Sequence, residues 1–259
     1  MKRVDIHFHV IPGVDDGPTS MDQSIDLAAA AAAERTGTIV ATPHVREEYA
    51  SDVTELAERL RELRERLREA RVDVELELGA ELGHTMVARL RQRELETIAL
   101  GPPGARWLLV ESPLDGFVPD FVAATDELRD RGFAVVVAHP ERAAGDVAER
   151  EAALAHELAA GSVLQLNAWS LAGRHGGEAQ ALARRLLAER RPAVIASDAH
   201  GGWRMPALGL GVEHARTVAA VDGDAERLVR SNPRRLLEKG LRPLAAPARP
   251  ITDAIGRAR

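Results

Sequence analysis

Seven short, near-continuous apolar segments recur along the chain, most of them followed by a stretch with helical periodicity. They are KRVDI (2–6), TIVAT (38–42), VDVELELGAE (72–81), RWLLVES (106–112), FAVVVAH (133–139), SVLQLNA (162–168) and AVIASDA (193–199). Apolar runs of this kind suit parallel strands covered on both faces, and parallel strands need crossover helices between them. The intervening segments supply those helices. SMDQSIDLAAAAAAER begins with Ser20 as N-cap and Gln23 three residues on, a capping-box pattern. DVTELAERLRELRERLREA (52–70) repeats Leu at helical spacing among Glu and Arg, and 119–131, 146–160 and 177–191 follow the same plan. The alternation predicts an α/β fold, a distorted (β/α)7 TIM-like barrel formed as one domain by residues 1–241. The stretch 242–259, rich in Ala, Arg and Pro, reads as a flexible C-terminal tail.

Composition narrows the function classes. The chain has no cysteine, which removes disulfides, thiolate metal sites and any cysteine nucleophile. A formal net charge of −6 gives no basic surface for nucleic acid. No apolar run approaches the roughly 20 residues of a membrane span, and the N-terminus lacks the apolar core of a signal peptide. A cytoplasmic enzyme is the expectation. Any hydrolysis must then use water, a carboxylate, a hydroxyl or a metal.

In β/α barrels the active site forms at the C-terminal ends of the strands. Here those ends carry His7 and His9, His44, Glu81, Glu111, His139 with Glu141 and Arg142, and Asp198 with His200; Asp15 and Asp16 follow the first strand. His7 and His9, two apart, point the same way from a strand. A single histidine after a strand is usually a hydrogen-bonded structural group. Repeated at most strand ends, such groups would bury many charges, each needing a partner, and a shared cation is the economical one. Imidazole and carboxylate without thiolate suit Zn²⁺, Mn²⁺ or Fe²⁺. Of the other histidines, His156 and His214 read as helix residues, and His84 and His175, near the rim, as solvated loop side chains, with contact to substrate as the alternative. Asp5 is either the partner that orients a ligand histidine or a strand-end cap.

The ordered set DIHFHVIPGVDDGP, ATPHV, two strand-end glutamates, AHPER, QLNAWSLAGRHG and IASDAH resembles the PHP (polymerase and histidinol phosphatase) superfamily. Within it, the chain is similar over residues 4–240 to the manganese-dependent tyrosine-protein phosphatases of bacterial capsule and exopolysaccharide operons, the CpsB/YwqE type. The resemblance implies three divalent ions, manganese first, with iron or zinc as alternatives. It implies one ion on His7, His9, Glu81 and Asp198, a second on Glu81, Glu111 and His139, and a third on Asp16, His44 and His200. Arg142 and Arg204 would bind phosphate, and a metal-bridged hydroxide would attack phosphotyrosine, with His200 or a metal-bound water assisting the leaving group. The implied partner is a phosphotyrosine protein, with the tail of a bacterial tyrosine kinase as one candidate. The chain departs from the family's usual pattern at VESP and NAWSL, both near the expected substrate pocket. The alternatives are a phosphatase of a small metabolite such as histidinol phosphate, another PHP phosphoesterase, a non-catalytic binding module, and a metal-dependent amidohydrolase. The last commonly carries a strand-end lysine, and the only lysines here are Lys2 and Lys239.

Overall fold

The computed structural model describes residues 1–49, 52–191, 193–221 and 224–244; residues 245–259, most of the expected tail, lie outside the described residues. Nine strand segments occur among them: β1 (Arg3–Phe8), β2 (Thr36–Ala41), β3 (His44–Val45), β4 (Glu75–Leu78), β5 (Glu81–Gly83), β6 (Trp107–Glu111), β7 (Ala134–Ala138), β8 (Val163–Asn167) and β9 (Ala193–Ala196). Every pairing between them is parallel.

Two of the expected strands are each broken into a lower and an upper piece. The first break falls at Thr42–Pro43 and the second at Gly79–Ala80. Proline has no N–H for a ladder and restricts the residue before it. At Gly79 a Cβ would stand 2.9 Å from Val40 Cγ1, so only glycine lets the two chains approach there. The lower pieces form a sheet in the order β1-β2-β4, and the upper pieces join the order β3-β5-β6-β7-β8-β9. The two sheets make one wall. Gly79 N–H donates to Ala41 O and Glu81 N–H to Pro43 O on one side, while Asp198 N–H donates to His7 O and His9 N–H to Ala199 O on the other, each at 2.9–3.0 Å. Seven staves thus close in a ring, the expected distorted barrel.

The helices are α1 (Met21–Ala33), α2 (Thr54–Glu69), α3 (Gln92–Ile98), α4 (Pro119–Asp130), α5 (Val147–Ala159), α6 (Ala168–Leu171), α7 (Gly177–Ala188), α8 (Leu208–Ala215) and α9 (Ser231–Lys239). In α2 the buried residues are Leu56, Leu60, Leu63 and Leu67, the stripe its periodicity predicts. Ser20 caps α1 by accepting from Gln23 N–H, but Gln23 Oε1 turns back to Thr19 N–H, one residue outside the expected box.

Aromatics make up only 3% of the chain, so aliphatic side chains fill the core. A larger cluster lies between strands and helices, with Leu27, Leu60, Leu95, Phe121 and Leu186 among its members. A smaller one holds Trp107, Leu109, Val136, Val194 and Ala196. Trp107 and Leu109 share a strand face with Glu111, as Val194 and Ala196 do with Asp198. This smaller cluster therefore forms the floor beneath the strand-end carboxylates. α9 closes it from below, with Trp107 Nε1 donating to Leu236 O at 3.0 Å.

Candidate metal centre

Glu81 opens the upper piece of the third stave and is fully buried. Its Oε2 lies 3.1 Å from His7 Nε2, 3.3 Å from His9 Nε2 and 3.1 Å from His44 Nδ1, while Oε1 lies 2.7 Å from His139 Nε2. Asp198 Oδ1 faces the same His7 and His9 nitrogens at 3.3 and 3.5 Å.

The rings are held from behind. Gln165 Oε1 accepts from His139 N–H and lies 2.9 Å from His7 Nδ1. An amide oxygen only accepts, so His7 carries its proton on Nδ1 and offers the Nε2 lone pair to the centre. His9 Nδ1 is 2.7 Å from Asp15 Oδ2, which likewise leaves Nε2 for the centre. The two Nε2 atoms face each other at 3.2 Å. His200 donates from Nδ1 to Asp198 O at 2.9 Å and stacks on His9 with ring centroids 3.6 Å apart. Its Nε2 faces Asp16 Oδ1 at 3.2 Å, and His44 Nε2 faces the same oxygen at 3.4 Å.

Backbone geometry serves this convergence. His139 and Asp198 both have left-handed conformations, φ 33° and 52°. Such conformations are costly for non-glycine residues and persist where the surroundings impose them. Each turns the chain sharply at a strand end, and Asn167 Nδ2 fixes Asp198 by donating to Oδ2 at 2.9 Å.

The donor atoms fall into three groups whose members lie within 4.8 Å of one another: His7, Glu81, His139 and Asp198; His9, Asp16, His44 and His200; and His44, Glu81 and Glu111. Together they include all nine residues expected as ligands. The groups overlap, since His9 Nε2 also stands with His7 Nε2, Glu81 Oε2 and Asp198 Oδ1 at 3.2–3.5 Å, the first set implied by the resemblance.

Buried Glu81 Oε2, His44 Nδ1, His139 Nδ1 and His200 Nε2 have no hydrogen bond of good geometry. Burial alone would raise Glu81 and Asp198, yet the charge of His7, with further imidazole contacts, holds both well below the usual carboxylate range. Burial opposes a charge on His9, but its hydrogen bonds to Asp15, Asp198 and Glu81 raise it well above the ordinary histidine value. Glu111 is pushed up to about 7 by burial and by the nearby charge of Glu81. Buried carboxylates and imidazole nitrogens aimed at one another, where a bound cation would take the place of the proton on His9 Nε2, are the chemistry of a divalent-cation cage. The residues fit such ions.

Arg142 Nη1 reaches Asp198 Oδ2 at 2.7 Å and Arg204 Nη2 reaches Asp16 Oδ2 at 2.7 Å, so both expected phosphate-binding arginines stand against acids of the cluster. A third arginine was not anticipated. Arg46, two residues beyond His44, lies 3.2 Å from Glu111. Asp15, Gln165 and Asn167 were also missed as supporting residues. Gln165 and Asn167 carry a visible signal, two polar side chains on one face of a buried strand.

Of the two readings of Asp5, the strand-end cap holds: Oδ1 accepts from the backbone N–H groups of His7 and Ser197 and so clamps the ends of β1 and β9. His84 packs against Phe121 at 6.1 Å between ring centroids, and His175 against Trp203 at 6.0 Å, so neither is a free loop side chain. His156 bonds Asp126 between α4 and α5, and His214 lies in α8, as the helical reading has it. Lys2 pairs with Asp73 at the N-terminal end of β1, opposite the centre.

A seven-stave β/α barrel with a histidine–carboxylate centre at its strand C-termini is the class this fold and site define. The chain belongs to the capsular polysaccharide synthesis family CpsB/CapC, whose model matches residues 3–238. It is 32% identical over 207 residues to CapC of Staphylococcus aureus, covering 78% of this chain and 79% of CapC. It is 30% identical over 204 residues to tyrosine-protein phosphatase YwqE of Bacillus subtilis (strain 168), covering 76% and 77%. A chain from the crystal structures of YwqE and of CpsB from Streptococcus pneumoniae, described as unique metal-dependent tyrosine phosphatases, matches with a TM-score of 0.76. That match has 24% identity, covers 94% of this chain and 98% of the other, and speaks for the fold.

Proposed function

We propose that this chain is a metal-dependent protein-tyrosine phosphatase of the CpsB/CapC type, linked to the regulation of capsule synthesis. The observation that carries the reading is Glu81 at the hub of four imidazoles, with Arg142 and Arg204 on the neighbouring acids. His7, His9, Glu81 and Asp198 would hold one divalent ion, Glu81, Glu111 and His139 a second, and Asp16, His44 and His200 a third. Manganese is the ion we favour, with iron or zinc admissible for the same donors. Bound ions of this type lower the pKa of a coordinated water to about 7 and neutralise charge on phosphoryl oxygens.

The chain's own residues do the rest. Gln165 and Asp15 keep His7 and His9 in the tautomers that face the centre. Arg142 and Arg204, planar donors at the rim, grip the non-bridging phosphate oxygens and orient the ester for in-line attack. A tyrosyl leaving group, with a pKa near 10, needs less proton assistance than an alkyl alcohol. No covalent phosphoenzyme is required, consistent with a chain without cysteine.

The substrate we propose is phosphotyrosine in a cytoplasmic protein, the tail of a bacterial tyrosine kinase being the specific candidate. Among the described residues no helix is long and apolar enough to cross a membrane. The test is turnover of a phosphotyrosine peptide against histidinol phosphate, before chelation, after it, and after Mn²⁺ add-back. Chelation abolishing peptide turnover and Mn²⁺ restoring it is the expected result. Undiminished turnover without metal, or preference for histidinol phosphate, overturns the reading.

A further inference from the structure

The chain has three tryptophans. Trp107 is buried in the barrel floor, but the other two stand at the rim of the centre. Trp203 occupies the tip of a turn closed by Arg204 N–H to Gly201 O and His200 N–H to Arg204 O, and it is 62% exposed. The same turn places His200 and Arg204 against Asp16. Trp169 lies in α6, capped by Asn167, which holds Asp198, and its Nε1 donates to Met205 O at 3.0 Å, tying α6 to the Trp203 turn. Trp169 and His175 both meet the Trp203 ring edge-on, with centroids 6.4 and 6.0 Å away. His175 Nδ1 is engaged by Ser170 Oγ at 2.9 Å, while its buried Nε2 has no hydrogen-bond partner. Burial, and next the charge of Arg142, bring His175 down to about 4, so its ring is uncharged at neutral pH.

We infer that Trp203, backed by Trp169 and His175, is an aromatic wall that seats the phenyl ring of the phosphorylated tyrosyl side chain and favours aryl over alkyl phosphates. This rests on the function proposed above and names its specificity element. Trp203 is not isolated: with Met205, 38% exposed, and Trp169, which meets both, it makes a contiguous apolar patch beside a polar centre, and such patches mark binding surfaces. A phosphate held by Arg142 and Arg204 carries its ester substituent past this rim. A planar ring there meets Trp203, held in place edge-on by Trp169 and His175, in an offset or edge-on contact that a short alkyl substituent does not fill.

The test compares the wild type, Trp203→Ala and Trp203→Phe. Trp203 is exposed, so melting temperatures should stay together. Two readouts apply: the ratio of kcat/KM for an aryl phosphate to that for a small alkyl phosphate, and the affinities for phenylphosphonate and methylphosphonate by calorimetry. An aromatic contact corresponds to roughly a 2- to 10-fold preference. Both aryl-to-alkyl ratios should fall by about that factor in Trp203→Ala and recover largely in Trp203→Phe. If the wild type hydrolyses aryl phosphates and Trp203→Ala keeps both ratios, the wall is wrong and the phosphatase reading stands. If the wild type lacks phosphatase activity altogether, that reading fails, and the phosphonate titration still decides whether the rim prefers a ring.

Discussion

Asp15 Oδ2 sits 2.7 Å from His9 Nδ1 and also accepts the backbone N–H of His44 at 3.0 Å, so one carboxylate sets two of the residues that converge on Glu81. Burial pushes Asp15 upward, but these bonds, that of His9 foremost, bring it below the ordinary carboxylate value. Its neighbour Asp16 faces the centre directly. Adjacent acids in the DDG motif thus do different work, one behind a ring and one before it.

Asp15→Asn is expected to leave the fold intact and weaken Mn²⁺ binding by about 10- to 100-fold, the usual cost of losing the partner that orients a ligand histidine. Calorimetric titration of Mn²⁺ into wild-type and variant protein checks this. Equal affinities would leave Asp15 a loop residue only.

His7→Ala and Asp198→Ala each remove a donor from the group around Glu81. Aryl phosphate turnover should drop by about 1,000-fold or more, because several kcal/mol of charge stabilisation would depend on the ions we assign to these residues. Metal content by mass spectrometry should fall in parallel, with circular dichroism unchanged.

Arg142 touches Asp198 from the rim, where we propose that the phosphate binds. Hydrogen bonds to charged groups are worth about 1.5–3 kcal/mol, so Arg142→Ala should raise KM by roughly 10- to 100-fold. Steady-state kinetics that leave both KM and kcat unchanged would remove Arg142 from substrate binding.

Far from the centre, Glu226 ties the start of β1 to the C-terminal segment through Arg3 at 2.9 Å and Arg230 at 2.8 Å. The hydrogen bond from Arg3 is the main cause of its lowered pKa. A carboxyl lowered in the folded state adds stability above its unfolded pKa and loses it as pH falls through the folded value. Glu226→Gln should therefore melt below the wild type at pH 7, by the equivalent of about 0.5–1 kcal/mol. The gap should narrow as pH falls below about 4.5. A pH series of melting curves tests the sign as well as the size.

Much of this was legible in the chain. Residues with strand-end chemistry stood out because a buried parallel strand has little other use for His44, Glu81 or Asp198. The nine candidate ligands could be named, but the left-handed turn at His139 and the stacking of His9 on His200 do not follow from spacing. Arg46 was invisible because nothing local shows that it bends toward Glu111, more than sixty residues on. The strand breaks were half visible: Pro43 could be read as an interruption, whereas the role of Gly79 depends on Val40 in the neighbouring stave.

Those two breaks divide the barrel by height. Below them, aliphatic packing, Trp107 and α9 supply a rigid base; above them, a short collar beginning at His44 and Glu81 carries the reactive groups. Because the collar's inward side chains stand clear of the aliphatic packing below, while the Thr42 hydroxyl braces one break by accepting the Phe8 N–H at 2.8 Å, the upper ring is a replaceable fitting on a separately packed pedestal.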